Sequence, residues 1–418
     1  MRLFAVLLIV GHFVSNFPIV AKAENWPEFR GPTGDGRSVA TGVATTFSET
    51  ENVKWKTPIH GKAWSSPVIW DDQVWVTTAP ADGKEMGAVC VDKSSGKIIH
   101  DLKVFDIPKP EFCHEFNSYA SSTPAIEAGR IYVHYGTHGT ACLDTKSGKT
   151  LWTRDDLHCD HFRGAGSSPI IFDNLLIMNF DGFDVQFVIA LDKHSGQTIW
   201  KKDRNIDYGI HNNSGDQKKA YGTPAVFKIG DKFQLINPSA GATISYDPWT
   251  GDEIWRVNSG GMNASARPIY AHGLVYVNSA AGGLSQFAVR PEGQGNVTAT
   301  HVAWKFKGSM PTRPSPVLDG DFLYFIDDKG VASCLNAKTG EAKWSHRVGG
   351  LYSASPVYID GKIYLFDQDG DCPVIEANPK EFRLIGTNKL ANGFMSSPAV
   401  SDSSLFVRTK TDLYRIGK

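Results

Sequence analysis

Asp144-Thr145-Lys146-Ser147-Gly148, followed four residues later by Trp152, decides the fold of this 418-residue chain, because the same wording keeps returning. It recurs as Asp92-Lys93-Ser94-Ser95-Gly96, Asp192-Lys193-His194-Ser195-Gly196, Asp247-Pro248-Trp249-Thr250-Gly251 and Asn336-Ala337-Lys338-Thr339-Gly340. Trp200, Trp255 and Trp344 stand at the same distance past the glycine. An Asp or Asn side chain accepts from backbone N–H groups two residues on, and glycine takes up a positive φ without steric cost. Such a turn joins the last two strands of an antiparallel unit. The Trp that follows places one large ring on the outermost strand, where it buries against the neighbouring unit.

Each unit opens on a proline preceded by small or polar residues. These are Ser65-Ser66-Pro67, Ser122-Thr123-Pro124, Ser167-Ser168-Pro169, Gly222-Thr223-Pro224, Ala266-Arg267-Pro268, Pro314-Ser315-Pro316, Ala354-Ser355-Pro356 and Ser396-Ser397-Pro398. Successive prolines lie 40 to 57 residues apart, the length of a four-stranded unit. Eight such units in a ring predict an all-β fold, an eight-bladed β-propeller. From Ser396 to Lys418 only three strands fit, whereas Asn52-Val53-Lys54-Trp55-Lys56 is an orphan strand with its own Trp. The N-terminal strand is therefore expected to complete the last blade, which removes the open edges of the ring. Residues 24–418 then form a single domain.

Residues 1–23 read as a signal peptide: Met1-Arg2, an apolar run from Leu3 to Val20, and the small-x-small site Ala21-Lys22-Ala23. No Cys precedes Cys90, so there is no lipobox, and a freely diffusing periplasmic or secreted protein is expected. No later segment is long and apolar enough to span a bilayer. The net charge of −1, with no basic stripe, argues against nucleic acid as a partner. A monomer is expected.

The Asp, Ser/Thr-Gly, Trp pattern resembles the tryptophan-docking repeat of the pyrroloquinoline-quinone-like (PQQ-like) propellers, the family of quinoprotein alcohol dehydrogenases and of the outer-membrane assembly factor BamB. The run Trp26-Pro27-Glu28-Phe29-Arg30-Gly31-Pro32-Thr33-Gly34-Asp35-Gly36 is similar to the opening of secreted PQQ-like repeat proteins common in planctomycetes. Three blades depart from the pattern. Blade 1 has His100 for the Trp, blade 5 has the longer Arg290–Asn296 turn and a late Trp304, and blade 7 has Asn378-Pro379-Lys380 and no Trp.

Cys90, Cys142 and Cys334 each lie six residues before a turn glycine, where other blades carry Ala190 and Ser245. They are read as small buried strand residues. Cys372 is read as a loop residue without a mate. Cys113 and Cys159 fall in the loops that lead into blades 2 and 3, beside His114, Glu115, His158, Asp160, His161 and Arg163, with His211 in the next such loop. In an exported protein these two cysteines are expected to pair as a disulfide; a soft-ligand metal site of the two thiols and neighbouring His is a second reading, and unpaired surface polarity a third. The turn Asp367-Gln368-Asp369-Gly370-Asp371 lacks the Glu that a calcium loop needs at its twelfth position and reads as an acidic turn.

The family's dehydrogenases clamp a quinone between a Trp and a disulfide of adjacent cysteines, with a calcium ion beside it. This chain has no adjacent Cys pair, so no cofactor is expected, and PQQ with calcium is the alternative. Trp64, Arg267 and Arg313 are read in two ways: as pointing into the central funnel to bind an anion, or, for the arginines, as ordinary rim decoration beside strand starts. The function expected is a non-catalytic binding or scaffold module in the cell envelope, its partner a protein, a peptide or a glycan. The alternative is a quinone- or metal-dependent oxidoreductase.

Overall fold

A computed structural model describes residues 24–279 and 285–418. The leader and the Gly282-Gly283 pair lie outside the described residues. Eight sheets form eight blades, each built on four antiparallel strands, which in seven of them run outward from the innermost in chain order. Blade 2 is representative, with Ala125–Glu127, Arg130–His134, Thr140–Asp144 and Thr150–Arg154. The last blade joins Ala399–Ser401, Ser404–Arg408 and Asp412–Ile416 to Val53–Pro58 near the other end of the chain, with Trp55 opposite Arg415. The ring is closed as the sequence predicts.

The recurring turn works as its residues dictate. Asp144 Oδ1 accepts from the N–H of Ser147 at 2.7 Å, Asp92 from Ser95 at 2.7 Å, and Asn336 from Lys338 and Thr339 at 3.0 Å. In all eight blades the ladder between the third and fourth strands slips by one residue beside the Trp or its counterpart. A bulge of this kind re-aims a side chain. Here it turns the indole onto the next blade. Trp55, Trp152, Trp200 and Trp304 each donate from Nε1 to a carbonyl in the neighbouring turn, at 2.9 to 3.0 Å. The turn glycine lies flat on the ring: a β-carbon at Gly96 would stand 2.6 Å from Trp55, and one at Gly340 2.7 Å from Trp304.

Cys90, Cys142 and Cys334 are fully buried and sit directly opposite His100, Trp152 and Trp344, so a small residue is needed beneath the ring. His100 stacks on Trp75 at 5.5 Å. Trp255 departs from the others, donating to Gln234 Oε1 of its own blade at 2.9 Å. Blade 5 lacks the receiving turn, and its insertion instead lays Gly295–Asn296 parallel to Trp255 and Arg256 as an extra edge strand on blade 4. Cys372 corrects the loop assignment. It lies buried in the strand Asp371–Glu376 of blade 7, opposite Asn388. Asp367 caps the preceding turn, accepting from the N–H of Asp369 and Asp371.

A ring of hydrogen bonds runs around the axis at the residue just before each strand-opening proline. The N–H of Ser66 donates to Thr123 Oγ1, Thr123 to Ser168, Ser168 to Thr223, Ser315 to Ser355, Ser355 to Ser397, and Ser397 back to Ser66, all at 2.9 to 3.0 Å. Arg267 donates to Ser315 in the same way but carries no hydroxyl to receive Thr223. Small hydroxyl residues recur there because each must both fit the crowded axis and satisfy a neighbour's buried N–H.

The segment from Trp26 to Ser38 crosses beneath this ring. Trp26 bridges to Ile69 in blade 1, the Pro27 carbonyl accepts from Ile126 in blade 2, and Arg37–Ser38 pair parallel with blade 7. Buried Arg30 donates to the carbonyls of Pro316 and Pro356, so one guanidinium ties blades 6 and 7 to the plug. Trp26 lies against Gly31, Arg267 against Gly34 and Arg30 against Gly36, and all three glycines have φ between 70° and 82°. That is why the opening run is rich in glycine.

Candidate functional site: the central funnel

Above the hydroxyl ring the channel widens into a cavity of about 860 Å³, with Phe29 of the plug in its lining. Its wall has a simple register. The residues three before each proline are Trp64, Ser121, Gly166, Tyr221, Ser265, Arg313, Ser353 and Met395, and all eight line the cavity. Residues two apart on extended backbone share a face. Most of the ring residues, one before each proline, therefore face the same cavity from below.

Trp64 and Arg313 lie in the wall. Trp64 Nε1 donates to the Phe116 carbonyl at 3.1 Å. Arg313 binds Asp328 through Nε at 2.5 Å and lies over the Phe116 ring at 4.7 Å. Arg267 differs from expectation. It occupies the position one before the proline, is buried, and extends down to Glu28 Oε1 at 2.6 Å and to the Phe29 carbonyl. Its guanidinium is taken up in fastening the plug.

The loops into blades 2 and 3 meet at the rim, but they contribute unequally. His114 and Arg163 line the cavity. Glu115 lines a second, smaller cavity on the outer side of its loop, together with Cys113. His158 and His211 are exposed and outside the funnel lining. Asp160 is exposed and holds its own loop, accepting from the N–H of Phe162 at 2.8 Å. His161 is buried under the rim, where desolvation lowers its pKa to about 4.

Cys113 and Cys159 are free thiols, not the disulfide expected. Their sulfurs lie against different stretches of chain: Cys113 Sγ is 3.5 Å from the Arg163 carbonyl, Cys159 Sγ 3.8 Å from the Val185 carbonyl and 3.9 Å from His161 Nδ1. Burial pushes the Cys113 thiol up to about 11 and the Cys159 thiol higher still, so neither is a nucleophile at neutral pH. Among the described residues no three His, Cys, Asp or Glu side chains are grouped to hold a metal.

Sequence reasoning passed over Tyr221, Asn263 and Asp328. Tyr221 carried a signal, since it shares the register of Trp64 and Arg313. Asn263 carried none: it reaches the wall through a loop whose N–H donates to the Lys219 carbonyl at 2.8 Å.

The architecture agrees with known proteins. A family model described as outer membrane protein assembly factor BamB matches residues 40–202 and 184–416, nearly the whole described chain. The chain belongs to this PQQ-repeat, BamB-type family. Within it, the chain is 27% identical over 339 residues to a quinoprotein ethanol dehydrogenase of Pseudomonas aeruginosa, covering 74% of this chain and 50% of that protein. It is 24% identical over 252 residues to the BamB of Legionella pneumophila, covering 60% and 50%. The chain thus spans about half the length of these relatives. The fold matches BamB from Moraxella catarrhalis with a TM-score of 0.61, 14% identity and coverage of 87% and 99%. It matches the quinohemoprotein alcohol dehydrogenase of Comamonas testosteroni with a TM-score of 0.67, 11% identity and coverage of 94% and 80%. Among the described residues no helix is long and apolar enough to cross a membrane.

Proposed function

We propose that this BamB-type propeller is an exported, non-catalytic binding module that presents its funnel face to a protein, peptide or glycan of the cell envelope. The observation that carries this reading is the state of the carboxylates in the funnel wall. Asp328 is held by Arg313 and by the N–H of Thr312 at 2.6 Å. Asp327 accepts from the N–H groups of Lys329 and Val331 at 2.9 and 2.8 Å. Both are committed to the fold, so neither stands ready as a general base. What remains is a large, preformed, mixed polar and aromatic concavity, the usual form of a binding site.

A quinone and calcium ion do not fit these residues as they fit the dehydrogenases that the sequence resembles. The chain has no adjacent cysteine pair to clamp the quinone, and the two wall carboxylates are engaged elsewhere. The second reading, a quinone-dependent oxidoreductase, is favoured by the 27% identity to a quinoprotein ethanol dehydrogenase. Thermal melting of the mature chain titrated with PQQ and calcium separates the two. The binding-module reading expects no shift at saturation, and a saturable rise in melting temperature with alcohol-dependent dye reduction would overturn it.

A further inference from the structure

Three residues of the funnel wall, Arg163, Tyr221 and Asn263, each carry a buried polar atom without a hydrogen-bond partner: Nε, OH and Oδ1 respectively. Folded proteins leave few such atoms, and each asks for a reason. These three come from the loops into blades 3, 4 and 5, and their loops are fastened to one another. Tyr221 N–H donates to the Ala264 carbonyl at 2.8 Å. Asn117 Nδ2 holds the backbone under the guanidinium, donating to the carbonyls of Arg163 and Ala165 at 2.9 and 3.1 Å. Gly166 lets the tyrosine lie close, since a β-carbon there would stand 3.2 Å from the Tyr221 ring.

Their chemistry is complementary to one kind of ligand. Arg163 has no carboxylate partner among the described residues, whereas Arg313 across the cavity is neutralised by Asp328. A guanidinium beside a phenol hydroxyl offers donors to an oxyanion. The Asn263 carbonyl oxygen asks for a donor, as a ligand hydroxyl provides. The remaining wall supplies hydroxyls, among them Ser121, Ser265 and Ser353, and the half-exposed rings of Trp64 and Phe116. Hydroxyl-rich walls with aromatic faces suit a polyhydroxylated ring.

We propose that Arg163, Tyr221 and Asn263 form a subsite for an acidic sugar, the guanidinium and phenol holding its carboxylate and the amide oxygen accepting from a ring hydroxyl. This rests on the funnel being a binding site and names its ligand class. Calorimetric titration of the mature chain with a uronic-acid tetrasaccharide, its neutral counterpart, and free acetate and sulfate tests it. The acidic tetrasaccharide binds at least about tenfold tighter than the neutral one, Arg163→Gln abolishes the difference, and Tyr221→Phe weakens binding about three- to tenfold, as expected for lost bonds to a charged group. Melting temperatures of both variants stay unchanged, because neither side-chain group is hydrogen-bonded within the fold. Equal affinity for the neutral sugar, equal affinity for free acetate or sulfate, or an unaffected Arg163→Gln protein would overturn the subsite. Failure here with continued capture of envelope partners through the rim overturns the sugar and leaves the binding module standing.

Discussion

The indole Nε1 of Trp55 donates to the carbonyl of Lys93 at 3.0 Å, so the first long strand of the chain, built into blade 8, docks on the turn of blade 1. Together with the Thr57 hydroxyl on the Gly96 carbonyl at 2.6 Å and the Ser397 N–H on Ser66, this bond joins the last blade to the first. Trp55→Ala removes a ring that is 8% exposed and leaves a cavity between the first and last blades. A loss of about 3–5 kcal/mol is expected, read as a lower urea midpoint. Deleting residues 24–58 should abolish cooperative melting altogether; a truncated protein that melts like the parent contradicts the closure.

The hydroxyl ring makes its own prediction. Ser355→Ala removes the acceptor of the Ser315 N–H, a buried bond of 2.9 Å. An orphaned buried donor costs about 1–3 kcal/mol. A serine elsewhere on the exposed surface, such as Ser403, should tolerate the same change within about 0.5 kcal/mol. Equal effects at the two sites would show that the ring is ornamental.

Acid should weaken the propeller at blades 2 and 3. His134 is fully buried, bonded to Thr140 Oγ1 at 2.8 Å, and desolvation, with neighbouring His161, lowers its pKa to about 3. His161 falls to about 4 through desolvation, with His138 opposing its charge and Asp184 partly offsetting. Both native values lie below the unfolded value near 6.5. Between those limits the unfolded chain takes up protons that the native one refuses, so stability falls as pH falls from about 6.5 toward 4. Each histidine contributes a loss of about 2 kcal/mol between pH 7 and 5. His161→Phe should therefore flatten the dependence of the urea midpoint on pH, and an unchanged slope would refute the assignment.

Thiol counting checks the cysteines. All six are free, and five of them are buried. Alkylation after denaturation without reductant should label six thiols. A peptide joining Cys113 to Cys159 would show that the loops rearrange to pair them.

Blade count, blade order and ring closure were legible in the sequence because each follows from local grammar: a proline that starts a strand, an Asp-to-Gly turn, and a Trp at a fixed distance. The funnel wall was half legible by the same route. Trp64 and Arg313 reach the wall because they stand three before a proline, whereas Arg267 stands two residues later and is drawn down into the plug. Tyr221 shared the productive register and went unnoticed among the charged residues. The plug itself, and the docking of the Tyr221 loop on that of Asn263, depend on contacts between distant segments, such as Arg30 with Pro316 and Pro356 and Tyr221 with Ala264. No short-range pattern encodes those. Cys113 and Cys159 lie at nearly the same distance before their prolines, yet bends such as Phe162 at φ 55° send their loops along different paths.

The funnel face is the proposed working surface. Capture of envelope components by the mature chain should be compared with capture by a rim variant, Glu115→Lys with Arg163→Glu, and by an opposite-face variant, Lys338→Glu, all three matched in melting temperature. Loss of the captured components by the rim variant alone is the predicted result. Unchanged capture by the rim variant, or loss by the opposite-face variant, would contradict it.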